Sequence, residues 1–143
     1  MAEAAQIETG LIAFLKADPA VAAASGGRVF GGELPAEETA LMPRTALVIR
    51  ASGGVSLTGE SYLGHDTQRV DIVAFGPTPR IASELLRSAA LALRQLRRGV
   101  FGGVLIHWAN AAGGTLSGRE PETDWPRAFQ SFQVMHGLAA IEE

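Results

Sequence analysis

Few residues in this chain are of a type and spacing that could do chemistry. The histidines are His65, His107 and His136. His65 stands beside Asp66, which is half of the arrangement a hydrolase uses when a carboxylate orients an imidazole base. The nearby run Gly54-Val55-Ser56-Leu57-Thr58 misses the Gly-x-Ser-x-Gly nucleophile elbow, because threonine occupies its last position. There is no cysteine, so a thiol nucleophile, a thiolate zinc site and a disulfide framework are all excluded. The three histidines fall on separate expected elements and lack metal-ligand spacing. Glu120-Pro121-Glu122-Thr123-Asp124 gathers three carboxylates but lacks the alternating ligands and tight glycine turn of a calcium loop. It reads as an exposed loop stiffened by proline, and His65-Asp66 as a solvated loop pair. No phosphate-cradling glycine loop follows a strand. The inventory predicts no catalytic, cofactor or metal site, and therefore no enzyme.

One polar constellation is better organised. At 100° per residue, Arg80, Glu84, Arg87, Arg94 and Arg98 fall within about 40° of one line on a helix. Glu84 lies at i+4 from Arg80 and three residues before Arg87, where opposite charges meet. Arginine outnumbers lysine eleven to one, and arginine suits paired interface contacts. Leu91 sits inside this stripe, where water disfavours it. The plain reading is a solvated helix back; the sharper one is a surface for phosphate or for a partner's carboxylates.

The elements that must position these residues follow from periodicity and punctuation. A first helix is expected over residues 4–16, with Ile7, Leu11 and Phe14 on one stripe and Leu15 at its edge. Asp18 caps a short helix over 19–24, Pro19 takes its first position, and Gly26-Gly27 stops it. Strands are expected at 28–30, 45–51, 69–75, 103–111 and 127–138. The clearest is 69–75, where Val70, Ile72 and Ala74 alternate with Arg69 and Asp71. Thr78 and Pro79 open a long helix whose last turns carry Arg94, Arg97 and Arg98 and which Gly99 ends. Residues 33–43, 52–68 and 113–125 read as loops. The result is an α+β fold: one mixed or antiparallel curved sheet of four or five strands, with two main helices on one face.

Composition agrees with a single domain over residues 1–143, since a domain takes about 100–200 residues. Net charge is −3, so there is no global basic field of the kind nucleic-acid binders use. Only 19% of residues are charged, against about 25% in ordinary soluble domains. An acidic start, Met1-Ala2-Glu3-Ala4, argues against a secretory leader, and no apolar run approaches the roughly 20 residues that span a bilayer.

Several segments together carry a resemblance. They are Leu11-Ile12-Ala13-Phe14-Leu15-Lys16-Ala17-Asp18-Pro19-Ala20-Val21 leading into Gly26-Gly27-Arg28-Val29-Phe30, the strand after Pro43, and Arg69-Val70-Asp71-Ile72-Val73-Ala74-Phe75 before the helix with Ala82 and Leu85. Glu120-Pro121-Glu122-Thr123-Asp124, with Trp125 after it, precedes the last strand. The pattern resembles the tail completion, or tail terminator, family of long-tailed phages and gene transfer agents. The resemblance implies a structural virion protein without cofactor. Such a protein forms a hexameric ring of its own copies, caps the tail tube, ends tube polymerisation and joins tail to head. The implied partners are itself, the tail tube protein and a head–tail connector or stopper protein. DNA passes through the channel unread, and no membrane is involved. The implied place is the tail–head junction, and the host cytoplasm during assembly. Interface candidates are Arg80, Arg87, Leu91, Arg94 and Arg98 on the stripe, Tyr62, Leu63 and His65 in the glycine-rich loop, and Glu120, Glu122 and Asp124. Another neck component (a head–tail stopper or connector), a nucleic-acid-binding module using the arginines, and a small hydrolase using His65 and Asp66 or the carboxylates of the Glu120 loop are the competing readings.

Overall fold

A computed structural model describes residues 6–53 and 64–141. Helix α1 (Ile7–Ala17) buries Ile7, Leu11 and Leu15. Phe14, expected on the same stripe, is half-buried and meets Phe101 edge-on at 5.1 Å. The Asp18 carboxylate accepts from the Val21 N–H at 3.0 Å, Pro19 opens α2 (Pro19–Ser25), and Gly26 closes it at φ 65°. That left-handed conformation is one glycine adopts without a Cβ penalty.

The strands are β1 (Val29–Gly31), β2 (Ala46–Gly53), β3 (His65–Phe75), β4 (Gly99–Phe101), β5 (Val104–Ala111), β6 (Leu116–Arg119) and β7 (Pro126–Gly137). They form one sheet in the order β1-β2-β3-β7-β5-β4, with β6 also paired to β7. Only β1 and β2 run parallel; the rest are antiparallel, so the sheet is mixed, and it curls into a half-barrel. Helix α4 (Pro79–Arg94) starts as its caps predict, with Thr78 Oγ1 accepting from the Ile81 N–H at 3.2 Å. α1 and α4 lie on one face of the sheet. Leu11 and Leu15 of α1 and Leu85, Leu86 and Leu93 of α4 pack with Ile49, Ile72, Ile106, Phe132 and Val134 of the strands. Each such side chain, fully removed from water, contributes roughly 1.5–3 kcal/mol. The α+β class and the two helices on one face are as the alternation predicts.

Four expectations need correction. The stretch 33–43 is not all loop: α3 (Ala36–Thr39) forms there. The carboxylate of Glu38 in this helix is buried and takes two hydrogen bonds from the Arg44 guanidinium, at 2.6 and 2.7 Å. These bonds hold the Glu38 carboxyl below the ordinary carboxylate range against its burial, with the Arg44 and Arg28 charges adding to the effect. The stretch 52–68 is shorter as a loop, because β2 runs to Gly53 and β3 begins at His65. The segment His65 to Gln68 has no apolar alternation, but it pairs residue by residue with β7. The stretch 113–125 contains β6, which pairs with β7 as a collinear continuation of β5 after an excursion at residues 112–115. Finally, α4 ends at Arg94 rather than near Gly99. The Gln95 N–H bonds back to the carbonyls of Leu91 and Ala92, and Gly99 already pairs with Ile106 in a strand.

Gly10 marks the closest approach between α1 and the β4–β5 hairpin. A Cβ there would lie 2.8 Å from Val104 Cβ and 3.1 Å from the Phe101 carbonyl oxygen. Alanine is ordinarily about 1 kcal/mol better than glycine in a helix. Here overpacking prevails, and Gly10→Ala is expected to destabilise the protein by about 1–3 kcal/mol in urea unfolding.

Candidate functional site

The arginine stripe is real over most of its length. Arg80, Glu84, Arg87, Leu91 and Arg94 are all exposed on α4. Arg80 Nε bonds Glu84 Oε1 at 3.2 Å, as the i,i+4 spacing predicts. Among the described residues, Arg87 and Arg94 make no ion pair. Leu91 is 53% exposed. Arg98 does not belong to the stripe, because it lies beyond the end of α4.

The arginines border a groove. Ser83, Leu86, Arg87, Ala90 and Arg94 form one wall of a depression of about 330 Å³, and Thr115, Leu116 and Ser117 form the other. An adjoining hollow continues past Ala90 and Arg94 along residues 109–111 of β5. All four β6 residues are exposed, and Leu116 is 60% exposed. Among the described residues the strand pairs with β7 alone, so its other edge has no ladder partner there.

The acidic candidates occupy the turn between β6 and β7. The Glu120 carboxylate accepts from the backbone N–H groups of Glu122 and Thr123 and from the Thr123 hydroxyl, at 3.1, 2.7 and 2.6 Å. These bonds hold its carboxyl below the ordinary range. Glu120 is thus a local staple. Asp124 takes φ 61°, its carbonyl accepts from Arg119 at 2.9 Å, and its carboxylate lies 3.7 Å from the same guanidinium. Glu122 is exposed. Trp125 leaves the turn to stand edge-on to Phe75 at 6.1 Å, on the sheet face away from α1 and α4.

The histidines are where position along the chain misleads most. His65 is on β3, not in a loop, and His107 is on β5. β7 runs between those two strands, yet His65 Nδ1 and His107 Nε2 stand 3.0 Å apart, one ring N–H donating to the other's lone pair. Two features allow this. The register shifts at His107, where β5 bulges between Ile106 and Trp108. Opposite His65 is Gly137, whose missing Cβ would lie 3.7 Å from His65 Nδ1. Asp66 points to the opposite sheet face from His65, as successive strand residues must, and pairs in register with His136. Its Oδ1 accepts from the Thr67 N–H at 2.8 Å. That separation is unsuited to a His–Asp hydrolytic pair. Buried His136 donates from Nδ1 to the Gly137 carbonyl at 2.8 Å. Among the described residues no group of three or more His, Asp or Glu is placed to hold a metal ion. No helix is long and apolar enough to cross a membrane. Tyr62 and Leu63 lie outside the described residues.

A second polar chain, on the same face as His65, was half legible. Arg69 and Asp71 alternate outward as expected. Ser131 bridges them, its Oγ accepting from Arg69 at 3.2 Å and donating to Asp71 at 2.5 Å.

The histidine pair sets a pH dependence. Partial burial pushes the His107 pKa down, and the charges of Arg98, His65 and His136 push the same way. The unfolded chain therefore binds the proton more readily than the folded one. Stability is full above the ordinary histidine pKa of about 6.5 and falls as pH drops below it. Denaturation midpoints measured from pH 7.5 down to 5 should fall for the native protein and fall less for His107→Gln.

No protein-family model and no curated protein matches the chain. Among solved structures, a chain from a structure described as the virion of a native gene transfer agent (GTA) particle matches with a TM-score of 0.67. It is 15% identical, and the alignment covers 92% of this chain and 94% of that one. At that identity the likeness is one of fold.

Proposed function

We propose that the protein is a structural component of a phage-like virion, and more specifically a tail terminator. Copies of it form a hexameric ring that caps the tail tube, stops tube growth and presents the surface that joins the head. The observation that carries this reading is the near end-to-end match of its fold to a chain of a gene transfer agent virion. The arrangement of side chains agrees. The strand alternation separates His65 from Asp66, and Glu120 is engaged in its own turn. The arginine-edged groove and the outer edge of β6 are exposed features suited to contact with another protein. The partners in this reading are other copies, the tail tube and a head–tail connector or stopper. DNA traverses the ring without being read. A different neck component of the same virion is the second reading, favoured by the same fold match, which does not distinguish one ring of the neck from another.

Electron micrographs of particles made without this protein test the reading. Tails of uncontrolled length are the expected result. Normal particles would overturn it. Uniform tails that stay unjoined would favour the second reading over the first.

A further inference from the structure

We propose that the arginine-edged groove beside β6 is the docking surface for the opposite, carboxylate-bearing edge of a second copy of this chain. The inference rests on the self-assembly reading above and says which two surfaces meet.

Exposed charges that make no ion pair among the described residues stand on both sides of the sheet. On the β6 side, exposed Arg87 and Arg94 flank the groove between α4 and residues 115–117, and neither has a carboxylate partner among the described residues. At the other end of the strand order, the chain leaves β1 through exposed Glu33 and enters α3 with exposed Glu37. Those two also lack a cationic partner among the described residues. This contrasts with Glu38, one residue on, which is buried against Arg44. Each edge also exposes a large apolar side chain: Leu116 and Leu91 on the basic side, at 60% and 53%, and Leu41 on the acidic side, at 58%. A chain with so little charge overall has thus left opposite unpaired charges on opposite edges, each beside an exposed leucine. The unpaired arginines of one copy can meet the unpaired carboxylates of the next, a head-to-tail contact between different surfaces rather than a two-fold one. The edge of β6 away from β7, which has no ladder partner among the described residues, adds a strand edge that an extended segment of the neighbour can cover.

The test is a charge swap read by native mass spectrometry and mass photometry of the full chain, with tail tubes added in parallel. Arg87→Glu with Arg94→Glu should weaken self-association by about tenfold or more. Glu33→Arg with Glu37→Arg should do the same. The four substitutions together should restore a large part of the assembly, a rescue that mere misfolding cannot produce. Circular dichroism and melting curves check that each variant stays folded. Assembly insensitive to either pair, or no rescue in the combined protein, overturns the proposed contact and leaves the ring reading standing. Loss of DNA binding in the Arg87/Arg94 variant with assembly intact overturns it too, by assigning the arginines to phosphate. A native chain that stays monomeric at high concentration and beside tail tubes overturns the self-assembly reading itself.

Discussion

The ladder between β3 and β7 is the constraint on which the rest of the molecule depends. Eleven consecutive residue pairs, from His65 opposite Gly137 to Phe75 opposite Arg127, fix one register. Because side chains alternate, a slip of one residue would turn every buried group outward. In the observed register Val70, Ile72 and Ala74 face α1 and α4 together with Phe132 and Ala128. The same register gives the other face its character in three zones: the histidine contact over Gly137, the Arg69–Ser131–Asp71 chain, and an apolar patch of Val48, Val73, Phe75 and Phe129. Both flanks of β7 are committed, to β3 on one side and to β5 and β6 on the other. The two outward-facing limits of the sheet are then β1 at one end and the short strands β4 and β6 at the other.

What could be read from the sequence was what local physics decides. Caps at Asp18 and Thr78, the α4 apolar face and the alternation in residues 69–75 each act through neighbours a few positions away, and each of these features formed as expected. What could not be read depends on partners far along the chain. Nothing in His65 to Gln68 favours a strand except the β7 residues opposite. Leu116-Ser117-Gly118-Arg119 has no buried face at all and is a strand only because β7 pairs with it. α3 rests on the Glu38–Arg44 contact six residues apart, and Arg98 left the helical stripe because Gly99 is claimed by β4.

The candidate site divides in the same way. The α4 surface with Arg80, Arg87, Leu91 and Arg94 was legible, since a helix wheel needs no tertiary information. The meeting of His65 and His107, 42 residues apart, was not, because it requires a strand order, a bulge and a glycine in register. Glu120 looked like one of three loose carboxylates and proved to be the staple of its own turn. A charged fraction of 19% also acquires a shape. Several charges are consumed inside the fold, by Glu38 with Arg44 and by Asp71 with Arg69 through Ser131. Unpaired exposed charge remains at the two sides of the sheet. A subunit whose sides are covered by its neighbours needs that distribution more than it needs a uniformly charged surface.

The account's central claim is that this chain is a built-in part of a virion neck. Cryo-electron microscopy of purified particles from cells producing the protein, with mass spectrometry of the same particles, tests it most directly. The account predicts peptides of this chain in the particles and six copies of its half-barrel fold in a ring between tail tube and head. Particles intact and infectious or transfer-competent that contain none of the chain would contradict it.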